Sequence, residues 1–440
     1  MSELSQHNSN PIDPQSADLI YKKITLRLIP FLIFLFLLAW IDRVNVGFAK
    51  LTMLSDLQFS EAVYGLGAGI FFLGYFLFEV PSNLLLEKVG ARVTLARITF
   101  LWGITSISMA FVKTEEMFYL LRFLLGVFEA GFFPGIVLYL TYWFPAKRRA
   151  KINGLFMTSF AIAGVVGGPL AGLIMNNMGD LAGYKDWQWL FIVEGIPSVI
   201  AAFFVLKFLP ATPKQASFLT DAERDYVNQT LQSEKTASHK ETSFKKIFKN
   251  KKVWLLTLIY FCIVSGNATI AFWTPSVVQS LGIENKLHIG LISAIPFILG
   301  TIAMVWNGWH SDQNGERNLH CGYASLIAAI GLIVTGYFSG NFYFAMIGLT
   351  IAAIGILAAF PVFWSIPTMF LTGTAAAGGI AMINSFGNLA GFVAPYMIGY
   401  IKTVSGSLAG GLYFVACLQF LAFVLLISQK KKINNTSEML

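Results

Sequence analysis

The chain has 440 residues, of which 56% are hydrophobic and only 12% charged, and its mean hydropathy is +0.65. Soluble domains carry about twice that share of charge, so the composition excludes a soluble enzyme or binding module. The net charge of +8 does not point to nucleic acid, because the basic residues stand between apolar blocks rather than along one face.

Residues 1–18 are polar and lack the basic-then-apolar order of a cleavable signal peptide, so they read as a short cytoplasmic tail. Apolar spans follow at 24–49, 62–86, 93–112, 117–143, 152–178 and 187–209. Each reaches the roughly 20 residues that cross about 30 Å of hydrocarbon. A polar break, 210–252, opens with Pro210 and Pro213 and closes with Lys245, Lys246, Lys249, Lys251 and Lys252. Six more spans follow at 253–279, 289–309, 319–338, 342–370, 375–401 and 408–427. The pattern predicts an all-α membrane protein of twelve transmembrane helices in two six-helix halves. Its units are 1–209 with a short cytoplasmic tail, the linker loop 210–252, and 253–440 with a second cytoplasmic tail.

Lysine and arginine counts orient the chain. With the first tail cytoplasmic, the inner loops, tails and inner span ends hold 24 of the 31 basic residues. Lys50, Lys113, Lys185, Lys286 and Lys402 fall in outer loops, and Arg43 and Arg122 inside spans. This asymmetry places both ends on the cytoplasmic side. Gly65, Gly67, Gly69, Gly164, Gly168 and Gly172 allow close helix approach, while Pro169, Pro296, Pro361 and Pro367 interrupt helices in a molecule expected to rock.

Charged residues deep in spans are costly and are functional candidates by default. Six stand more than four residues from a span end: Asp42, Arg43, Glu79, Arg122, Glu129 and Glu194. All belong to the first half, whereas the second half offers amides at Asn267, Asn384 and Asn388. Arg43 and Arg122 lie about 9 and 8 Å from the outer ends of their spans, so two guanidiniums can converge on one anion, whose carboxylate the planar fork grips bidentately. Glu129 follows Arg122 by seven residues on the same face. A buried acid beside an arginine offers a route to proton coupling, and the same two residues also suit a structural ion pair. Asp42 is either a second proton site or a residue that orients Arg43. Glu79 and Glu194, before Pro81 and Pro197, read as gate or packing partners. Tyr75 is a candidate pocket hydroxyl, and Trp273, Phe363 and Trp364 are candidate cavity aromatics.

Other chemistries find no support. There is no phosphate-binding GxxxxGK[ST] run, no nucleophile elbow, and no His/Cys/carboxylate set with metal spacing. Cys262, Cys321 and Cys417 are odd in number and far apart, so no disulfide framework is expected. Neither a cofactor nor a metal is expected.

Several motifs are recognisable. Asn83-Leu-Leu-Leu-Glu87-Lys88-Val-Gly90-Ala-Arg92 resembles the loop signature between the second and third helices of the major facilitator superfamily, with Asn83 in place of its opening glycine. A degenerate copy, Gly308-Trp-His-Ser-Asp312, follows the eighth span, and Gly164 to Gly172 resembles the fifth-helix motif GxxxGPxxG. Trp40-Ile-Asp42-Arg43-Val-Asn45-Val-Gly47 and Arg122-Phe-Leu-Leu-Gly126-Val-Phe-Glu129-Ala-Gly131 resemble the first and fourth helices of the anion:cation symporter family. Pro81-Ser82-Asn83 and Phe363-Trp364-Ser365-Ile366-Pro367 look most like the tartrate, phthalate and 4-hydroxyphenylacetate permeases, with sugar-acid permeases further off. The resemblance implies proton symport of organic anions. It implies proton coupling at Asp42 and Glu129, anion contact at Arg43, gating of Glu129 by Arg122, and Tyr75 near substrate. Glu87, Arg92 and Asp312 of the loop signatures are implied gating residues. The residues themselves add Asn267, Asn384, Asn388 and Trp364 as substrate contacts.

The expectation is therefore a secondary transporter, not an enzyme, which takes up small carboxylates (tartrate-like, aromatic or sugar acids) with protons by alternating access. It is read as a monomer in a bacterial inner membrane, with an organic anion, protons and lipid as partners and no nucleic acid. An exporter or exchanger of the same fold is the alternative. A transporter-like sensor is more remote, since it would normally carry an added soluble domain.

Overall fold

The computed structural model describes residues 14–236, 249–369 and 373–437, and every regular element among them is helical. The first thirteen residues of the expected tail, and Lys245 and Lys246 of the expected basic run, lie outside the described residues. The first half comprises α1 (Pro14–Val44) with α2 (Val46–Leu57), α3 (Glu61–Val89), α4 (Ala91–Ser108), α5 (Glu115–Glu129) with α6 (Phe132–Thr141), α7 (Ala146–Asn177) and α8 (Asp186–Phe208). The second comprises α10 (Lys251–Ser280), α11 (Lys286–Asn314), α12 (Asn318–Tyr337), α13 (Phe342–Thr368), α14 (Gly373–Asn388) with α15 (Ala390–Ser405), and α16 (Ala409–Ser437). The fourth span is broken at Ala130–Gly131, whereas Asn45 and Leu389, at the junctions in the first and eleventh spans, keep helical dihedral angles.

Span ends are fastened by short polar side chains, which satisfy amide groups that have no intrahelical partner. Ser60 accepts from the Val63 amide, Thr114 from Met117, Asn285 from His288 and Asn341 from Phe344. The two halves meet along α7 against α11 and α3 against α15. Glycine permits both contacts. A Cβ at Gly65 would lie 2.5 Å from the Pro395 carbonyl oxygen, and one at Gly168 would lie 2.8 Å from that of Gly290.

Polar contacts seal the halves together on the face away from the 145–151 basic run. Tyr64 donates to the Phe272 carbonyl at 2.7 Å, the Ala62 amide to Thr403 at 2.9 Å, and Lys402 pairs with Glu61 at 2.5 Å. Lys286 pairs with Asp186, which also accepts from Thr52 at 2.8 Å.

Two expectations are corrected. The first span does not end at 49 but continues to Leu57, and Lys50 is not in an outer loop: it sits in α2 at 5% exposure. The burial is tolerated because its ammonium pairs with Glu61 at 2.7 Å and lies 3.8 Å from the Trp273 ring centroid. The linker, expected as a loop, contains α9 (Asp221–Thr236), which docks on the first half by burying Val227 and pairing Glu223 with Lys23 at 2.8 Å. Its apolar Tyr226, Val227 and Leu231 fall at helical spacing on one stripe, and the stripe needs a partner surface.

Candidate functional site

A cavity of about 410 Å³ lies between the halves. Its lining runs from Val44 and Phe272 at the sealed end to Asn83, Val137 and Ile380 toward the basic face. Arg43 and Glu79 are the two charged side chains in that lining among the described residues, and most of the remainder is aromatic or aliphatic. Trp364, Tyr260 and Phe360 form a ring cluster on the second half, with Tyr260 4.8 Å from Trp364 and 5.8 Å from Phe360 between centroids. Such a wall suits the carbon skeleton of a small ligand, leaving a few polar groups to set its orientation.

The Arg43 guanidinium is partly exposed and projects beneath three rings, with centroids 5.6 Å (Trp40), 5.2 Å (Phe71) and 5.5 Å (Tyr75) away. Behind it stands the fully buried Glu129, whose Oε1 accepts from Arg43 Nε at 3.0 Å and from a second guanidinium nitrogen. Glu129 Oε2 is buried without a hydrogen-bond partner. The backbone explains this placement. Glu129 is the last residue of α5, where the helix dipole is negative and a carboxylate is unfavourable without a nearby cation. The chain then breaks at Gly131 with φ +83°, and a Cβ there would lie 2.6 Å from Ser82 Oγ, so only glycine lets the span turn beside Arg43.

Among the described residues Arg122 makes no direct ion pair with Glu129, although their charges attract through space, and of the two arginines Arg43 alone lines the cavity. Arg122 is fully buried outside the cavity lining and points its guanidinium at carbonyls: Gly67 at 3.2 Å, Ala68 at 3.5 Å and Arg43 itself at 3.5 Å. Seven residues along one helix put both side chains on one face, but the two arginines flank a shared Phe71 ring, 5.2 Å from each guanidinium. Only Arg43 is left facing the cavity.

Asp42 points away from Arg43, as its position one residue earlier requires. It is fully buried and accepts hydrogen bonds from Trp102 Nε1 at 3.1 Å, Ser106 at 2.6 Å and Ser198 at 2.6 Å, joining α1 to α4 and α8. It does not line the cavity.

Tyr75, Asn267, Asn384, Asn388 and Trp364 all line the cavity. Trp273 and Phe363 do not: the first packs against Lys50 and the second is buried behind Tyr260. Glu79, read from the sequence as a gate or packing partner, has a further place that the sequence reading missed. It lines the cavity and bridges the halves, accepting from Asn384 Nδ2 and from Ser385 Oγ, both at 3.1 Å. Asn388 in turn donates to Asn384 at 3.2 Å. The available signal was spacing, since Glu79 is one turn beyond Tyr75 on the same face. Of the loop-signature residues, Glu87 is exposed, Arg92 donates to the Leu206 carbonyl, and Asp312 pairs with Arg317 at 2.5 Å. These contacts stay within one half each.

Known proteins fit this geometry. The Major Facilitator Superfamily model matches residues 32–395. An Agrobacterium vitis protein named "Putative tartrate transporter" is 48% identical over 92% of this chain and 90% of its own length. The inner membrane transport protein RhmT of Escherichia coli K12 is 38% identical over 95% of this chain and 96% of its own. In fold, the partially occluded, inward-open xylose transporter XylE of E. coli superposes with a TM-score of 0.74 at 15% identity, covering 93% of this chain and 98% of that one. With a family match across most of its length and a cavity between two six-helix halves, this chain is a multi-pass membrane transporter and belongs to the Major Facilitator Superfamily.

Proposed function

We propose that the protein imports small organic carboxylates together with protons, by alternating access, across a bacterial inner membrane with both termini cytoplasmic. The observation that carries this reading is the Arg43–Glu129 pair: a guanidinium facing the cavity, held by a carboxylate that the cavity does not reach. A substrate carboxylate and Glu129 compete for the same fork. Protonation of Glu129 removes its charge and releases Arg43 to grip the substrate bidentately. Loss of the substrate on the inner side returns Arg43 to Glu129, which then gives up its proton. Arg122 holds the main chain of α1 and α3 around this exchange through its three carbonyl contacts. Asp42 acts as a brace among α1, α4 and α8.

The other elements agree with this scheme. The aromatic wall accepts the carbon skeleton, Asn267, Asn384 and Asn388 supply neutral polar contacts, and the names of the A. vitis and E. coli relatives suggest a tartrate-like cargo and an inner-membrane site. The bias of basic residues supports the orientation. In this orientation the sealed face is outward, and Glu87, Arg92 and Asp312 stand at the inner ends, where closing of the inner side can exchange the contacts of Arg92 and Asp312 for ones with the opposite half.

The test is uptake into proteoliposomes of radiolabelled tartrate and a panel of other acids under an inward proton gradient. Concentrative uptake that collapses with a protonophore is expected. Accumulation that survives the protonophore, or uptake of none of the acids in the panel, overturns the reading.

A further inference from the structure

The transport reaction needs one positive pole for a carboxylate, yet the cavity carries a second, negative pole. Glu79 lies in α3 one helical turn beyond Tyr75, whose ring packs 5.5 Å from the Arg43 guanidinium. That turn moves the carboxylate about 6 Å along the helix toward the basic face. Each Glu79 oxygen accepts one bond from the second half, Asn384 Nδ2 to Oε1 and Ser385 Oγ to Oε2. A carboxylate offers about four acceptor sites, so each oxygen keeps a lone pair that these two bonds do not use, on a side chain that lines the cavity. The neighbouring amide is committed as well, because Asn384 Oδ1 accepts from Asn388. The lower pole is therefore an acceptor surface built on a carboxyl group, in a lining otherwise mostly aromatic or aliphatic.

We propose that Glu79 is a specificity-determining residue, which selects carboxylates bearing a hydroxyl or other hydrogen-bond donor several bonds from the carboxyl group. This rests on the reading of Arg43 as the carboxylate contact and deepens it. A ligand seated on Arg43 presents its far end to Glu79. A hydroxyl there donates to a free lone pair of the charged group. An alkyl or plain aryl end leaves that lone pair facing apolar matter, and a second, ionised carboxylate meets like charge unless a neighbouring hydroxyl, as in tartrate, donates to Glu79 in its place. Because Glu79 belongs to the first half and its donors to the second, a correctly placed hydroxyl also joins the junction that ties the halves together at the cavity floor.

The experiment measures dissociation constants for matched pairs of acids by thermal shift of the purified full-length protein in detergent. The pairs are 4-hydroxybutyrate with butyrate, 4-hydroxybenzoate with benzoate, and tartrate with succinate. Hydroxylated members should bind at least tenfold more tightly than their partners, as expected of a hydrogen bond to a charged group. Glu79→Gln keeps the shape but replaces one oxygen with a donor and removes the charge, so the preference should fall about tenfold. Ser385→Ala frees Glu79 Oε2 from its protein donor, so the preference should hold or rise. Opposite behaviour of two touching residues cannot come from general damage to the fold. A preference that falls in both variants, or in neither, overturns the assignment. Arg43→Lys separates the two readings, since it should weaken both members of every pair. If it weakens neither, the carboxylate reading fails. If it weakens both while Glu79→Gln leaves the ratio unchanged, only the role of Glu79 fails.

Discussion

In the proposed orientation, replacing Gly290 with valine should push the transporter out of the outward-sealed arrangement. A Cβ at Gly290 would lie 2.3 Å from the Gly168 carbonyl oxygen and 3.0 Å from its carbonyl carbon, where ordinary contact is 3.4–4 Å. The two backbones must therefore part by about 1 Å, and overpacking of this size costs about 1–3 kcal/mol. Gly168 is in α7 and Gly290 in α11, on opposite halves, so separating the halves relieves the strain almost completely. The cost falls on one state of a two-state equilibrium. It should raise the outward-open population about 5- to 150-fold. The assay is labelling by a membrane-impermeant maleimide in right-side-out vesicles. The reactive group is a cysteine at Ala271, near the sealed end of the cavity, in a background without Cys262, Cys321 and Cys417. The labelling rate should rise at least about fivefold. An unchanged rate in a variant that elutes and melts like the parent would show that this glycine contact does not govern closure.

Glu129→Gln should still bind substrate and catalyse counterflow in preloaded vesicles while failing to accumulate substrate under a proton gradient; full accumulation would move the coupled proton elsewhere. Arg43→Lys should lose more than tenfold in carboxylate affinity, because an ammonium cannot reproduce the bidentate fork that Glu129 now occupies; near-parental affinity would show that geometry there is unimportant. Asp42→Asn forces an amide into a site lined by the Trp102, Ser106 and Ser198 donors, at a cost of about 1–3 kcal/mol. A lowered melting temperature with the proton dependence of uptake intact is expected, and loss of that dependence would make Asp42 the coupling acid. Lys50→Met removes an ammonium held between Glu61, Trp273 and Tyr64, a contact worth up to about 2 kcal/mol when desolvated. The Ala271 cysteine should then label faster from outside, and slower labelling would contradict a sealing role.

The membrane class, the number of spans and the two-half plan were legible in the sequence, because each depends on local quantities: the length of an apolar run and the sign of the charge beside it. Arg43, Tyr75 and the Asn384–Asn388 pair were legible for a related reason, since polar groups deep in an apolar span must face a cavity or a partner. What a side chain meets across the bundle was decided only by tertiary packing. Arg122 and Glu129 share a helix face, yet Glu129 reaches Arg43 on another span and Arg122 is taken up by carbonyls of α1 and α3. Lys50 looks like a loop residue until Trp273, from the opposite half, covers it. Glu79 looks like packing beside a proline until Asn384 and Ser385, some three hundred residues later, turn it into the cavity floor. Helical periodicity fixes the direction of a side chain around its own axis. The approach of a neighbouring helix, set here by glycine contacts such as Gly168 with Gly290, determines what stands in that direction.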